Sequence, residues 1–183
     1  MKLIILPILA TLALASSASA LQISPGDEIH SGPETSTSSI LSTISGTHGI
    51  RLGTLFYKAE SDSPVVEQGP LASSYTTTFT NTPSDPSDAD ITFDGGLSIG
   101  GQAYMLVKDG NHNPGWYLFD LTALGWDGTS TLDLNNFWPA GGAISHVAIY
   151  GEHTVPDAGA TVALLGMSLL GMVGFRKALK RKS

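Results

Sequence analysis

Residues 100–121 read GGQAYMLVKDGNHNPGWYLFDL and contain two apolar runs separated by a polar, glycine-rich segment. The runs at residues 103–108 and 116–121 each have the length of one strand and show no helical spacing of apolar residues. The segment DGNHNPG between them, residues 109–115, combines the residue types that dominate turns. This stretch predicts two β-strands joined by a loop.

Further strand-like segments lie on both sides of this pair. Residues 74–80, SYTTTFT, consist mostly of residues that favour strands, and residues 50–59 and 91–93 follow the same tendency. Residues 143–150 carry apolar groups on both faces, which predicts a central strand. Short strands at this spacing, separated by Gly, Pro, Asp and Asn, predict an all-β domain over residues 21–154, an antiparallel β-sandwich or jelly roll.

A Ser/Thr-rich segment interrupts this pattern at residues 31–47, which hold ten Ser and Thr residues. Its large apolar residues are Ile40, Leu41 and Ile44. The composition is compatible with a loop, an edge strand or a glycosylated segment. We expect a loop or an edge strand.

The start of the chain has the layout of a secretory signal peptide. Lys2 supplies a positive charge, residues 3–15 are almost wholly apolar, and Ala18 and Ala20 are small residues at the −3 and −1 positions of a cleavage site. An uncleaved anchor helix is the alternative. The short apolar core favours a signal peptide over residues 1–20, cleaved after Ala20.

An uncharged apolar stretch at residues 158–175 is followed immediately by a basic tail over residues 176–182. As a helix the stretch would span roughly 27 Å, at the short end of what crosses a bilayer. The excess of positive charge places the tail in the cytoplasm. The basic residues of the tail are Arg176, Lys177, Lys180, Arg181 and Lys182. We expect a single transmembrane helix here, and it is the one helix that the sequence predicts.

A short motif precedes the apolar stretch: Val155, Pro156, Asp157, Ala158 and Gly159. Motif, apolar stretch and basic tail together resemble the PEP-CTERM class of sorting signals, in particular the variant beginning Val-Pro-Asp-Ser-Gly, with alanine in place of the serine. The resemblance covers residues 155–183. It implies a membrane-embedded exosortase as processing partner, transient attachment to the inner membrane, and delivery to the surface or exopolysaccharide matrix of a Gram-negative bacterium. A plain single-span anchor is the alternative.

The apolar strand segments resemble a second feature of the same proteins. Residues 100–121 and 142–151 are similar to the β-sandwich ectodomain common among PEP-CTERM proteins, in which a strand ending in Lys, a Trp-containing strand and a final Ile-Ser-His strand precede the sorting signal. The resemblance implies a β-sandwich fold and a location outside the cell, but it implies no molecular role.

The segment between the two ends is strongly acidic. Residues 21–154 hold three basic and fifteen acidic residues, a balance of −12, against −7 for the whole chain. Such a charge repels nucleic acid and anionic lipid, so we expect no nucleic-acid partner. The chain contains no cysteine, which excludes disulfides, thiolate metal sites and cysteine nucleophiles.

Metal binding is weakly indicated by four aspartates within ten residues, Asp85, Asp88, Asp90 and Asp94. Oxygen-rich loops bind Ca²⁺, but these residues lack EF-hand spacing and residues 91–93 read as a strand. Residues 109–120 match several EF-hand positions, yet Pro114 stands where that loop needs glycine. A solvated acidic loop is the preferred interpretation, and we expect neither a metal nor a cofactor.

Catalytic patterns are not evident. The five histidines show no paired ligand spacing, and there is no Gly-x-Ser-x-Gly elbow. No motif selects a carboxylate pair for glycoside hydrolysis, whether Glu60 with Glu67 or Asp120 with Asp133. His146 is interpreted as a buried strand residue. We therefore expect no enzyme, and keep a secreted hydrolase only as a third hypothesis that requires a cleft with two facing carboxylates.

Aromatic residues cluster in the second half of the acidic segment. Exposed aromatic faces bind pyranose rings, so Trp126 and Trp138 are candidate glycan contacts, although large aromatic residues more often fill the core. The leading prediction is a structural or adhesive surface or matrix protein. The alternative is a secreted carbohydrate-binding module that recognises matrix exopolysaccharide, and exposure of Trp126 or Trp138 on a concave face would distinguish the two.

Overall fold

The computed structural model describes residues 19–80, 86–109, 112–139, 141–156 and 166. These residues form a four-stranded sheet of order β1-β9-β6-β5 and a six-stranded sheet of order β2-β8-β7-β10-β3-β4. The elements are β1 (Leu21–Ile23), β2 (His30–Gly32), α1 (Thr37–Gly46), β3 (Thr54–Glu60), β4 (Val66–Gln68), β5 (Tyr75–Phe79), β6 (Ala89–Phe93), β7 (Leu97–Lys108), β8 (Trp116–Asp120), β9 (Leu132–Leu134) and β10 (His146–Pro156).

The two sheets enclose one apolar core. Tyr57 and Phe119 of the larger sheet and Ile91 and Leu132 of the smaller sheet belong to the same buried cluster. In β5, buried and exposed residues alternate, as expected for a strand with one face on the core and one in solvent. The strand pairs are antiparallel except for β1 with β9. The predicted β-sandwich is confirmed; the jelly-roll alternative is not confirmed by this strand order.

β10 is the central strand that the sequence predicts. It lies between β7 and β3 in the larger sheet, begins at His146 and continues to Pro156, beyond the predicted residues 143–150. Val147 belongs to the sandwich core and Ala148 to a second cluster on the outer face. Apolar residues therefore occur on both faces of β10 because both faces are covered.

A helix covers part of the outer face, and this corrects the expectation of a loop or edge strand for most of residues 31–47, although residues 31–32 do belong to the edge strand β2. α1 occupies most of that segment. The hydroxyl of Ser36 caps the helix by accepting from the Ser39 backbone N–H at 3.2 Å. Ile40 and Ile44, one turn apart, are fully buried in the outer cluster. Burial of this apolar stripe outweighs the low helix propensity of Ser and Thr.

Both predicted membrane-targeting segments fall largely outside the described residues. These are residues 1–18 of the predicted signal peptide and, apart from Gly166, the predicted helix at residues 158–175 with its basic tail. In the part of the chain that the structure describes, no helix has the length and apolar character to cross a membrane.

Candidate functional site at the end of the last strand

The C-terminal part of β10 leaves the six-stranded sheet as half of a two-stranded ribbon. Pairing of β10 with β3 ends where Gly151 faces Thr54. Pairing with β7 continues: His153 faces Gly100, Thr154 faces Ile99, Val155 faces Ser98 and Pro156 faces Leu97. We call residues 97–101 and 152–156 the terminal ribbon.

The base of the terminal ribbon is fixed in the core by Tyr75. The Tyr75 hydroxyl donates to the carbonyl of Gly128 at 2.7 Å and accepts from the Ile99 N–H at 3.0 Å. Burial raises the pKa of Tyr75 to about 12, so the hydroxyl keeps its proton near neutral pH. Ser98 and Ile99 are themselves buried. These two residues fix the β7 half of the ribbon to the folded core.

Two glycines allow the strands of the ribbon to approach each other. A Cβ on Gly100 would lie 2.8 Å from Cγ1 of Val155, and one on Gly101 would lie 2.8 Å from Cε1 of His153. Gly101 also has φ +68°, a conformation that favours glycine. The side chains of His153 and Val155 therefore lie against bare backbone.

The far end of the ribbon is exposed. Leu97 is 47% exposed and faces Pro156, which is also exposed. Val155 and Pro156 are the first two residues of the predicted sorting motif. The structure places both of them in β10, where they pair with β7. Asp157, Ala158 and Gly159 lie outside the described residues. Cross-strand partners cannot be read from sequence, and for that reason Leu97 was not among the predicted site residues.

The predicted signal-peptide cleavage point lies at the start of the folded domain. Ala20 is exposed and directly precedes β1, whereas Ala18 lies outside the described residues. The backbone N–H of Leu21 donates to the carbonyl of Thr131 at 2.7 Å. The first residue after Ala20 is thus already part of the fold.

The two candidate glycan contacts are buried. Trp126 is 8% and Trp138 is 6% exposed, and their indole N–H groups donate to the carbonyls of Ser130 at 2.7 Å and Pro114 at 2.6 Å. A sugar needs an open ring face, and these rings pack in the core instead. We therefore do not assign glycan contact to either residue.

The candidate metal ligands do not come together. Asp88 accepts from the Asn136 backbone N–H at 2.7 Å, and Asp94 accepts from the Thr76 hydroxyl at 2.7 Å. Asp90 is exposed on β6, and Asp85 lies outside the described residues. Among the residues that the structure describes, no three His, Asp or Glu side chains form a group able to hold a metal ion.

The four carboxylates that could form pairs for glycoside hydrolysis make hydrogen bonds within the domain. Glu60 pairs with Lys58 at 2.5 Å, and Glu67 accepts from the Tyr57 hydroxyl at 2.8 Å. Asp120 accepts from Gln102 at 2.7 Å, and Asp133 from Gln22 at 2.9 Å. The bonds of Glu67, Asp120 and Asp133 join neighbouring strands, whereas the pair of Glu60 with Lys58 lies within β3.

His146 is buried on the outer face of the larger sheet, where it faces Glu60 on β3 and Lys108 on β7. Burial, followed by the positive charges of Lys58 and Lys108, lowers the pKa of His146 to about 4. The imidazole is therefore neutral at physiological pH.

Comparison with known proteins identifies the C-terminal segment. The family model of the VPDSG-CTERM motif matches residues 154–179, a sorting signal of the PEP-CTERM type that exosortases process. Such a signal implies export and a surface or extracellular location. The match begins at Thr154, inside the terminal ribbon. No curated protein and no solved structure matches the chain.

Proposed function

We propose that this chain is an exported bacterial surface or matrix protein. The signal peptide is removed after Ala20, and an exosortase-like enzyme of the inner membrane processes the C-terminal signal. The released β-sandwich then has a structural or adhesive role at the cell surface or in the exopolysaccharide matrix, without catalysis. The observation that carries this proposal is the continuity of β10 with the sorting motif, because the last described strand extends to Pro156 and so includes the first residues of the motif.

The positions of the two processing points support the proposal. The strands of the described domain lie between Leu21 and Pro156. Cleavage after Ala20 and cleavage close to Pro156 would therefore release the sandwich whole. The negative charge of the domain adds solubility and weakens attachment to anionic membranes once the C-terminal segment is removed.

The non-catalytic role is supported by the contacts of the polar groups. The carboxylates considered for hydrolysis make hydrogen bonds within the domain, and those of Glu67, Asp120 and Asp133 join neighbouring strands. Burial of Trp126 and Trp138 removes the aromatic platform on which the carbohydrate-binding alternative depended. Exopolysaccharide is accordingly proposed as the surrounding matrix and not as a ligand of a defined site.

The test is the intact mass of the protein recovered from the cell surface and the medium of a host with an exosortase and of an isogenic host without it. We expect a product from Leu21 to near Pro156 in the first host and a membrane-bound product that keeps the C-terminal segment in the second. Replacement of the motif pair, Pro156→Ala with Asp157→Ala, should block processing, whereas Asp62→Ala on an exposed loop should not. A product that starts at Leu21 but retains Ser183 in both hosts would refute the proposal.

A further inference from the structure

The sorting motif begins in a paired strand, which limits the directions from which an enzyme can reach it. Neighbouring strands of a sheet lie about 4.8 Å apart. Leu97 of β7 faces Pro156 in the ladder, so one side of the motif is occupied by the protein's own backbone. Beyond Gly151, no strand of the described residues pairs with the opposite edge of β10, and we call this part of the strand its open edge.

Several contacts keep the terminal ribbon together at its base. The Tyr75 hydroxyl holds Ile99, the third residue of β7, and Ser98 and Ile99 are buried. His153 and Val155 pack on Gly100 and its neighbour without intervening side chains. Separating β10 from β7 would break the packing of His153 and Val155 on the two glycines and the ladder between the strands. The paired ribbon is therefore lower in free energy than a ribbon in which β10 has separated from β7.

The exposed end of the ribbon carries an apolar side chain next to the motif. The exposed large hydrophobic residues of the described domain are Ile29, Val66 and Leu97, and Leu97 is the most exposed. Leu97 alone among these three faces a motif residue. Directly opposed residues of an antiparallel pair carry their side chains on the same face, so an enzyme that covers this face at Pro156 also contacts Leu97.

We propose that the exosortase-like enzyme recognises the motif as part of the folded terminal ribbon and makes a direct apolar contact with Leu97. The enzyme approaches the open edge of β10, where the backbone has the geometry used in strand addition. The recognition surface consists of Leu97, Val155 and Pro156. This inference rests on the proposed function, since it specifies how the sorting signal is presented to its enzyme.

A charge at Leu97 tests the contact. In the exosortase-containing host, pulse-chase labelling should show that Leu97→Asp slows conversion of precursor to product about tenfold, the loss expected when one apolar side chain no longer binds. Val66→Asp is the matched control, because Val66 is 39% exposed on the edge strand β4, away from the motif. Its rate should stay within about twofold of the wild-type rate. Thermal unfolding of both purified variants establishes that they fold.

A spacer tests the presentation of the motif in the ribbon. Insertion of Gly-Ser-Gly-Ser between Gly151 and Glu152 keeps the motif intact but moves it out of register with β7, so processing should slow as it does in Leu97→Asp. The same insertion after Gly26, at an exposed turn, is the control. Unchanged or faster processing of the variant with the insertion after Gly151 would overturn the inference. The enzyme would then recognise the motif in a chain that is not paired with β7.

The motif variant separates this inference from the proposed function. If Pro156→Ala with Asp157→Ala blocks processing while Leu97→Asp is processed at the wild-type rate, exosortase sorting stands and the ribbon contact is refuted. If the motif variant is processed like the wild type, the proposed function itself fails, and the ribbon contact fails with it.

Discussion

The indole N–H of Trp116 donates to Oε2 of Glu34 over 2.7 Å, which joins β8 to the segment between β2 and α1. The second carboxylate oxygen of Glu34 accepts from the Thr43 hydroxyl on α1 at 2.8 Å. These bonds, first that from Trp116 and then that from Thr43, lower the pKa of Glu34. One carboxylate thus fastens the helix to the outer face of the larger sheet.

Replacing Glu34 with glutamine should loosen this helix. Gln can accept from Trp116 through its amide oxygen and donate its amide N–H to the Thr43 hydroxyl, but both hydrogen bonds then lose the negative charge of the carboxylate, at a cost of about 1–2 kcal/mol in the free energy of unfolding. Urea denaturation followed by tryptophan fluorescence measures the loss. Asp62→Asn, at an exposed loop position, should change stability by less than about 0.5 kcal/mol. Equal stability of the two variants would mean that Glu34 does not hold α1.

His146 should make the domain less stable in mild acid. Its pKa is about 4 in the folded protein, against an ordinary value of 6.5. Between these values the unfolded chain binds a proton that the folded domain does not, so the free energy of unfolding falls as the pH is lowered from about 6.5 towards 4. Lys58 and Glu60 on β3 and Lys108 on β7 face the imidazole. The two lysines disfavour its protonation and Glu60 favours it.

The size of this effect is at most about 3 kcal/mol, from the shift in pKa and about 1.4 kcal/mol per unit. Thermal melting from pH 7 to pH 4 should show a steeper decline for the wild type than for His146→Gln. A His146→Gln variant with the wild-type slope would show that another group controls the acid sensitivity.

The sandwich strands were predictable because their side chains alternate between core and solvent or fill both covered faces of a strand. Residues 116–121 and 74–80 match β8 and β5 closely. β7 begins at Leu97, six residues before the apolar run that predicted it. Gly100 and Gly101 lack the side chains that mark a strand, and their pairing with β10 depends on contacts distant in sequence.

The helix and the ribbon were not predicted, for different reasons. Ile40 and Ile44 have helical spacing, but the Ser and Thr residues around them have low intrinsic helix propensity, so only burial against the sheet reveals the helix. The motif at Val155 was recognised from its residues. Its pairing with Ser98 is a tertiary contact, and no local pattern encodes such a contact.

Removal of the Tyr75 hydroxyl should loosen the β7 half of the ribbon. In Tyr75→Phe, the Gly128 carbonyl and the Ile99 N–H both lose their partner in the core, which should cost about 1–3 kcal/mol. Hydrogen exchange at residues 97–100 should accelerate. Tyr150→Phe, in the outer cluster, is the control and should leave exchange in the ribbon unchanged. Wild-type exchange in Tyr75→Phe would contradict the anchoring role.

The open edge of β10 depends on Gly53, where the chain turns before β3 begins. Gly53 has φ +79°, and a Cβ there would overlap the carbonyl oxygen of Gly151. Gly49 has φ +69°, but its Cβ would meet no atom within 4 Å. Gly49→Ala should therefore cost only the conformational strain, about 1 kcal/mol. Gly53→Ala should cost at least about 2 kcal/mol more, because the backbone of β10 must shift. Equal stabilities in urea denaturation would show that β3 and β10 do not approach each other this closely, and the ribbon would then begin elsewhere.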